Sequence, residues 1–362
     1  MLRLLVQPSS LPMIAKISLG LLGLILVAGV IAVAIGYSIS GPKYTGPVSD
    51  HFDGQQFFNP NQVEPRGFKD VLSWMLNRDR TEWAPYRDVP PGPPPPNWVP
   101  GQDLRVTFVN HSSVLLQFDS LNVLTDPVWS YRPSPFTWIG PKRNRPPGIR
   151  LEDLPPIDII LLSHSHWDHL DLPTLRQLVK RDKPRIFCPL GVKALLDREG
   201  FGNISEMDWN QSQPFNERTR IHCVPAQHFS GRGMFDRNAT LWCGFVVDNQ
   251  TAGKLHFAGD TGYGQFFKQI GKQYGPMRLA LIPIGAYKPT WFMAPVHCSP
   301  AEAVEIHKDV CSQQSIGIHY GTFPLADEGE TEPVTDLRKA LQQQGIPPEK
   351  FQALEEGKGV VF

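Results

Sequence analysis

Three histidines and an aspartate stand within six residues, directly behind an apolar run, in Leu161-Leu162-Ser163-His164-Ser165-His166-Trp167-Asp168-His169. Few folds have a use for such a cluster. In an extended turn His164 and His166, two positions apart, aim their rings the same way. Asp168 and His169 come where the chain starts to curl into a helix predicted over Leu172–Lys180, and can face a second ion. Imidazole and carboxylate suit zinc and its first-row neighbours, and no thiolate stands nearby in sequence. Two ions need more than four ligands, so the rest of the chain has to return to the same place.

Histidine and aspartate recur at other predicted strand ends. His228 follows Ile221–Pro225, Asp260 follows Lys254–Ala258, and His319 follows Ser315–Ile318. Gly259, Gly262 and Gly321 lie beside them and let the backbone turn tightly. Any one of the three alone reads equally as a loop or core residue. Together with the cluster they predict one cavity rimmed by several loops. Further strands are expected at Leu104–Val109, Ser113–Phe118, Leu121–Thr125, Asp158–Ser163, Thr240–Asp248 and Leu279–Pro283. Helices are expected at Gly262–Lys272, Pro300–Cys311 and Pro333–Gln344. Strands in two groups with interleaved helices fit an α/β chain with two sheets packed face to face under helices. No internal repeat is visible by eye.

Three segments are expected: an anchor over 1–40, a Pro-rich lead segment or linker over 41–100, and a catalytic domain over 101–362. Ile17–Tyr37 is 21 residues without a charge, about the length that crosses a bilayer as a helix; a cleaved signal peptide is the alternative. Arg3 and Lys16 precede it, which points to a cytoplasmic N-terminus and a single-pass protein with its main domain outside the cytoplasm. The lead segment reads as lying outside the core, with a strap around His51–Gly54 and Phe57–Pro60 and a short helix over Phe68–Asn77. The run Val89–Pro96 reads as a stiff spacer or as an irregular arm packed on the surface. Lys plus Arg and Asp plus Glu each number 35; a nucleic-acid binder normally shows a basic excess, so no nucleic-acid partner is expected. Five cysteines without a C-x-x-C pair suggest buried hydrophobes, with one disulfide conceivable outside the cytoplasm.

The H-x-H-x-D-H signature with His228, Asp260 and His319 resembles the metallo-β-lactamase superfamily. The likeness is closer to its N-acyl-phosphatidylethanolamine-hydrolysing phospholipase D branch. Leu124-Thr125-Asp126-Pro127, Gly140-Pro141-Lys142-Arg143, Leu154–Asp158, Phe257–Tyr263, Ile284–Tyr287, Trp291-Phe292-Met293 and His319–Phe323 carry it, from about residue 104 to 335. The resemblance implies an αββα sandwich with two zinc ions per chain, or other first-row divalent metals, at its edge. It assigns His164, His166 and His228 to one ion, Asp168, His169 and His319 to the other, and Asp260 between them. It also implies Trp167 and His297 as substrate contacts. The family carries Tyr where this chain has Trp167, a departure that bears on headgroup selectivity.

Two neighbouring cations lower the pKa of a water between them, supply a hydroxide at neutral pH and polarise a phosphoryl oxygen. On that basis Asp168, Asp260 and His297 are the candidate catalytic residues, with His297 as a proton or hydrogen-bond donor or else a structural loop histidine. The expected activity is phospholipase D-type hydrolysis of a membrane phospholipid by a membrane-anchored phosphodiesterase. Alternatives are a lactonase or cyclic phosphodiesterase on a small soluble substrate, and a non-catalytic metal-bound scaffold, since one fold hosts many reactions. A homodimer is left open. His51, His222, His256 and His307 read as structural or solvated, and His111 as a residue near the cavity that orients its neighbours. Lys142–Arg145 reads as a solvated basic loop, or as an attractor for an anionic headgroup. Trp129, Trp138, Trp291 and Phe292 fit an acyl groove or the core equally.

Overall fold

The computed structural model describes residues 12–59, 63 and 66–362. Arg3 and Pro60 lie outside the described residues. Helix α1 covers Met13–Ile39, and Gly36 is its one buried residue. Among the described residues it is the one helix long and apolar enough to cross a membrane. Helix α2 covers Phe68–Leu76.

Fourteen strands among the described residues form two seven-stranded sheets. The first holds β1 (Arg105–Asn110), β2 (Ser113–Phe118), β3 (Leu121–Thr125), β4 (Ile159–Leu161), β5 (Arg185–Pro189), β6 (Ile204–Met207) and β14 (Gly359–Val361), in the order β14-β1-β2-β3-β4-β5-β6. The second holds β7 (Ser212–Pro214), β8 (Thr219–Val224), β9 (Gly244–Asn249), β10 (Gly253–Phe257), β11 (Leu279–Pro283), β12 (Ser315–Ile318) and β13 (Phe351–Gln352), in the order β13-β12-β11-β10-β9-β8-β7. In each, three antiparallel strands (β1–β2–β3, β8–β9–β10) lead into three parallel ones. The two halves therefore repeat one another in topology, which no sequence repeat betrays.

The strands read as unbroken apolar runs because both faces of each sheet are covered. In β2, Val114, Leu116 and Phe118 point between the sheets, while Leu115 packs outward. In β11, Leu279 and Leu281 point inward, while Ala280 and Ile282 face the outer helices. Helices α3 (Leu172–Asp182) and α4 (Val192–Arg198) cover the first sheet. The second is covered by α5 (Phe266–Tyr274), α7 (Pro300–Asp309) and α8 (Glu332–Gln343), with the single turn α6 (Thr290–Met293) between. The result is a four-layer αββα sandwich. Ser299 caps α7 just before Pro300 and forms a reciprocal capping box with Glu302 in the first turn. Helix α5 begins four residues later than predicted, since Gly262 and Gly264 are spent in the turn leaving the site.

The lead segment differs from its expected place outside the core. Phe52 and Phe57 insert between the sheets, each 1% exposed, and burying such a ring stabilises by about 1.5–3 kcal/mol. The proline run is the packed arm and not a free spacer. Gly92 N–H donates to Gly148 O, and Gln117 donates to Pro96 O. The basic run turns inward as well: Arg143 donates to Ser130 O and Val128 O, Arg145 pairs with Glu356, and Lys142 alone stays exposed. The five cysteines are free thiols, with Cys311 exposed and the other four buried.

Candidate metal centre

Strands β1, β3, β4, β8, β10 and β12 end at one edge of the sandwich, and the residue groups that follow them converge there. His111 leaves β1, Asp126 leaves β3, the His164–His169 loop leaves β4, His228 leaves β8, Asp260 leaves β10 and His319 leaves β12. His111, Asp126 and His319 hold φ of 46°, 30° and 61°, the left-handed region that side chains other than glycine rarely adopt. Gly259 precedes Asp260 at φ 64°, and a Cβ there would sit 2.8 Å from Ser163 Cβ and 2.9 Å from Cys243 O. The backbone is held in costly turns so that side chains meet.

The seven predicted donors do meet. His164, His166 and His228 offer ligand atoms within 4.8 Å of one another. Asp168, His169 and His319 form a second such group, which also includes His111. Asp260 lies between the groups: its Oδ2 is 3.1 Å from His169 Nε2, 3.0 Å from His319 Nε2 and 3.8 Å from His228 Nε2. The His228 ring lies 5.0 Å from that of His297, whose own centre is 5.2 Å from His319. Trp167 is half-buried, and its indole N–H is already given to Arg232 O at 2.9 Å, which leaves only its ring for other contacts.

Three groups unforeseen in these roles steer the donors. Asp126 accepts from Ser163 N–H, Ser163 Oγ and His169 Nδ1, at 2.7, 2.5 and 2.6 Å; this turns His169 Nε2 toward Asp260. Val296 O does the same for His228 Nδ1 at 2.8 Å. Asn59, from the lead segment, brackets His228 by accepting from its N–H and donating to its C=O, both at 2.8 Å. His111 Nε2 lies 3.0 Å from Asp168 Oδ2. The signal for Asp126 was an acid immediately past an apolar strand; for Asn59 there was none.

The donor set fits a divalent metal. His169 Nε2, His319 Nε2 and Asp260 Oδ1 are buried without a hydrogen-bond partner, although both nitrogens approach Asp260 in distance. Buried polar atoms are rarely left so, and nitrogen and oxygen donors without sulfur are what a zinc-like ion takes. The charge balance agrees. Burial opposes a proton on His169, yet Asp260, Asp168 and Asp126 hold its pKa well above the usual value. His319, also opposed by burial, is pushed up to about 9 by Asp260 and Asp168. Asp168 and Asp260 stay far below the carboxylate range against burial, chiefly because of His169. The carboxylates thus call for positive charge beside them. On the other side, burial and neighbouring imidazoles keep His164 and His228 neutral, and burial brings His166 and His297 to about 4. Burial foremost takes His111 to about 3.

The chain belongs to the metallo-β-lactamase superfamily: the model of the β-lactamase superfamily domain matches residues 121–320, which hold all seven donors. It is 42% identical over 251 residues to N-acyl-phosphatidylethanolamine-hydrolyzing phospholipase D 1 of Caenorhabditis elegans, covering 66% of this chain and 69% of that one. An uncharacterised protein of Mycobacterium tuberculosis is 39% identical over 316 residues, covering 85% and 82%. Among solved structures, the metallo hydrolase Igni18 of Ignicoccus hospitalis superposes with a TM-score of 0.55 at 21% identity, covering 72% of this chain and 98% of that one. The protein is a metal-dependent hydrolase, and its closer likeness is to the phospholipase D branch.

Proposed function

We propose that this chain is a membrane-anchored phosphodiesterase of the phospholipase D type that hydrolyses N-acylated phosphatidylethanolamine or a related phospholipid. The observation that carries the reading is the two-part donor cluster about Asp260, in a chain 42% identical to a relative named for that reaction. Helix α1 supports the anchoring: its 27 residues extend about 40 Å, enough for a bilayer. With Lys16, in its first turn, ahead of the charge-free run Ile17–Tyr37, the catalytic body would lie outside the cytoplasm.

His164, His166 and His228 would hold one zinc-like ion, Asp168, His169 and His319 the other, and Asp260 would lie between them. When bound, the ions supply an activated water and neutralise charge on the phosphoryl oxygens. The protein's part is positioning. Asp126 and Val296 O fix the tautomers of His169 and His228, so each presents Nε2 inward. Asp168 stays anionic and, steadied by His111, orients the attacking water by accepting its hydrogen. His297, neutral and with Nδ1 unpartnered, would hold a phosphoryl oxygen or the leaving oxygen by an N–H.

The test is a panel of N-acylated phosphatidylethanolamine, plain phosphatidylethanolamine, a cyclic phosphodiester and a lactone, offered to metal-replete and chelator-treated full chain. Release of phosphatidic acid, lost on chelation and in Asp260→Asn, is the expected result. Turnover confined to the lactone or cyclic diester would reassign the substrate. Undiminished activity in Asp260→Asn would remove that residue from the site.

A further inference from the structure

The C-terminal end of α1 does not leave the body freely; it is bonded to a loop that reaches the metal site. Ser40 Oγ accepts from Phe235 N–H at 3.2 Å, Asp236 accepts from Gly41 N–H at 2.6 Å, and Arg198 donates to Ser40 O at 3.0 Å. Gly36 packs so closely on Met234 that a Cβ there would lie 2.7 Å from its sulfur. The same Asp236 accepts from Arg232 N–H, and the Arg232 guanidinium donates to Ser165 O and Leu170 O, clasping both ends of the metal loop. That guanidinium also lies 3.5 Å from the centre of the Trp167 ring. Three contacts therefore separate the membrane helix from the site.

This fixes a depth. Ile17–Gly36 is the apolar length that fills a bilayer core, so Gly36 marks the edge of the hydrocarbon. Met234, in contact with Gly36, is held at that level, within the roughly 5–10 Å to which interfacial side chains enter a membrane. Met234 is 64% exposed and Phe235 43%. Trp167 also lines a cavity with the loop from Ser130 to Thr137, which continues in sequence into Trp138 and Ile139, 74% and 51% exposed. Arg237 and Lys142, both exposed, flank these apolar tips as cations flank an interfacial segment.

We propose that Met234, Phe235, Trp138 and Ile139 form a bilayer-contact surface that seats the mouth of the metal site on the membrane crossed by α1, so that a lipid enters beside Trp167. The inference deepens the lipid-hydrolase reading and rests on it. The occupant is the bilayer because α1 is continuous with the surface and sets its level.

The experiment uses full chain in vesicles of phosphatidylcholine and phosphatidylglycerol with bromine on shallow acyl carbons. Helix α1 has no tryptophan, so quenching reports the body alone. Part of the emission should be quenched, and Trp138→Phe should remove that part. Met234→Glu with Phe235→Glu should lower hydrolysis of vesicle lipid about ten-fold while leaving bis(p-nitrophenyl) phosphate hydrolysis within about two-fold, since α1 still anchors the variant. Quenching that Trp138→Phe leaves untouched would overturn the proposal. So would equal loss on both substrates, or conversion of a dimer to a monomer by the glutamates, which would assign the face to a second copy. If neither substrate turns over, the hydrolase reading fails, and the emission arm still decides the contact.

Discussion

Asp126 is none of the seven donors, yet three hydrogen bonds from Ser163 and His169 end on it. The carboxylate behind a ligand histidine sets which nitrogen faces the metal, and losing such a partner costs about 10–100-fold in metal affinity. Asp126→Asn should therefore lower affinity by about that factor while circular dichroism stays that of the parent. Unchanged affinity in a competition titration with a chelating dye would mean His169 is oriented by something else. The donors themselves were legible because histidine and aspartate past apolar strands have few ordinary uses in such numbers. Their supports were not. Asp126 and Asn59 are common turn residues, and only the chain's return gives them partners 43 and 169 positions away. His111 was read as a neighbour of the cavity, and geometry brings its Nε2 among the donors of the second group.

At the scale of elements, strands covered on both faces were easiest to read. Ser113–Phe118, Leu121–Thr125, Leu279–Pro283 and Ser315–Ile318 form with the expected bounds. Strands β5 to β7 were missed, being short and mixed with Ser, Arg and Gln, so that neighbours and not propensity hold them. The strap at His51–Gly54 and Phe57–Asn59 does fold down, but its burial in the core is not legible, because its worth lies in contacts distant in sequence. His51 stacks on Trp209 with ring centres 4.5 Å apart and bonds Asp208 at 2.8 Å. Burial lowers its pKa, but Asp208 and Asp50 outweigh that and the net shift is upward. A raised folded pKa gives stability that is complete below the unfolded value near 6.5 and fades as pH rises through the folded one. His51→Gln should therefore cost more thermal stability at acid pH than at alkaline pH. A deficit independent of pH would show that only the ring stack matters.

For the molecule as a whole, two topologically repeated halves put strand ends at one edge, and the second half brings His228, Asp260 and His319 to the loop carried by the first. Unbroken apolar runs, covered on both faces, make the sandwich readable. The inward lead segment and the bonded end of α1 depended on packing that no local pattern records. Seven side chains are placed where they could hold two cations, and metal content measures that directly. Elemental analysis of the purified full chain, loaded with zinc and freed of excess, should find close to two ions per chain, falling by at least one in His228→Ala. A chain that retains its fold yet carries no metal after loading would contradict the account.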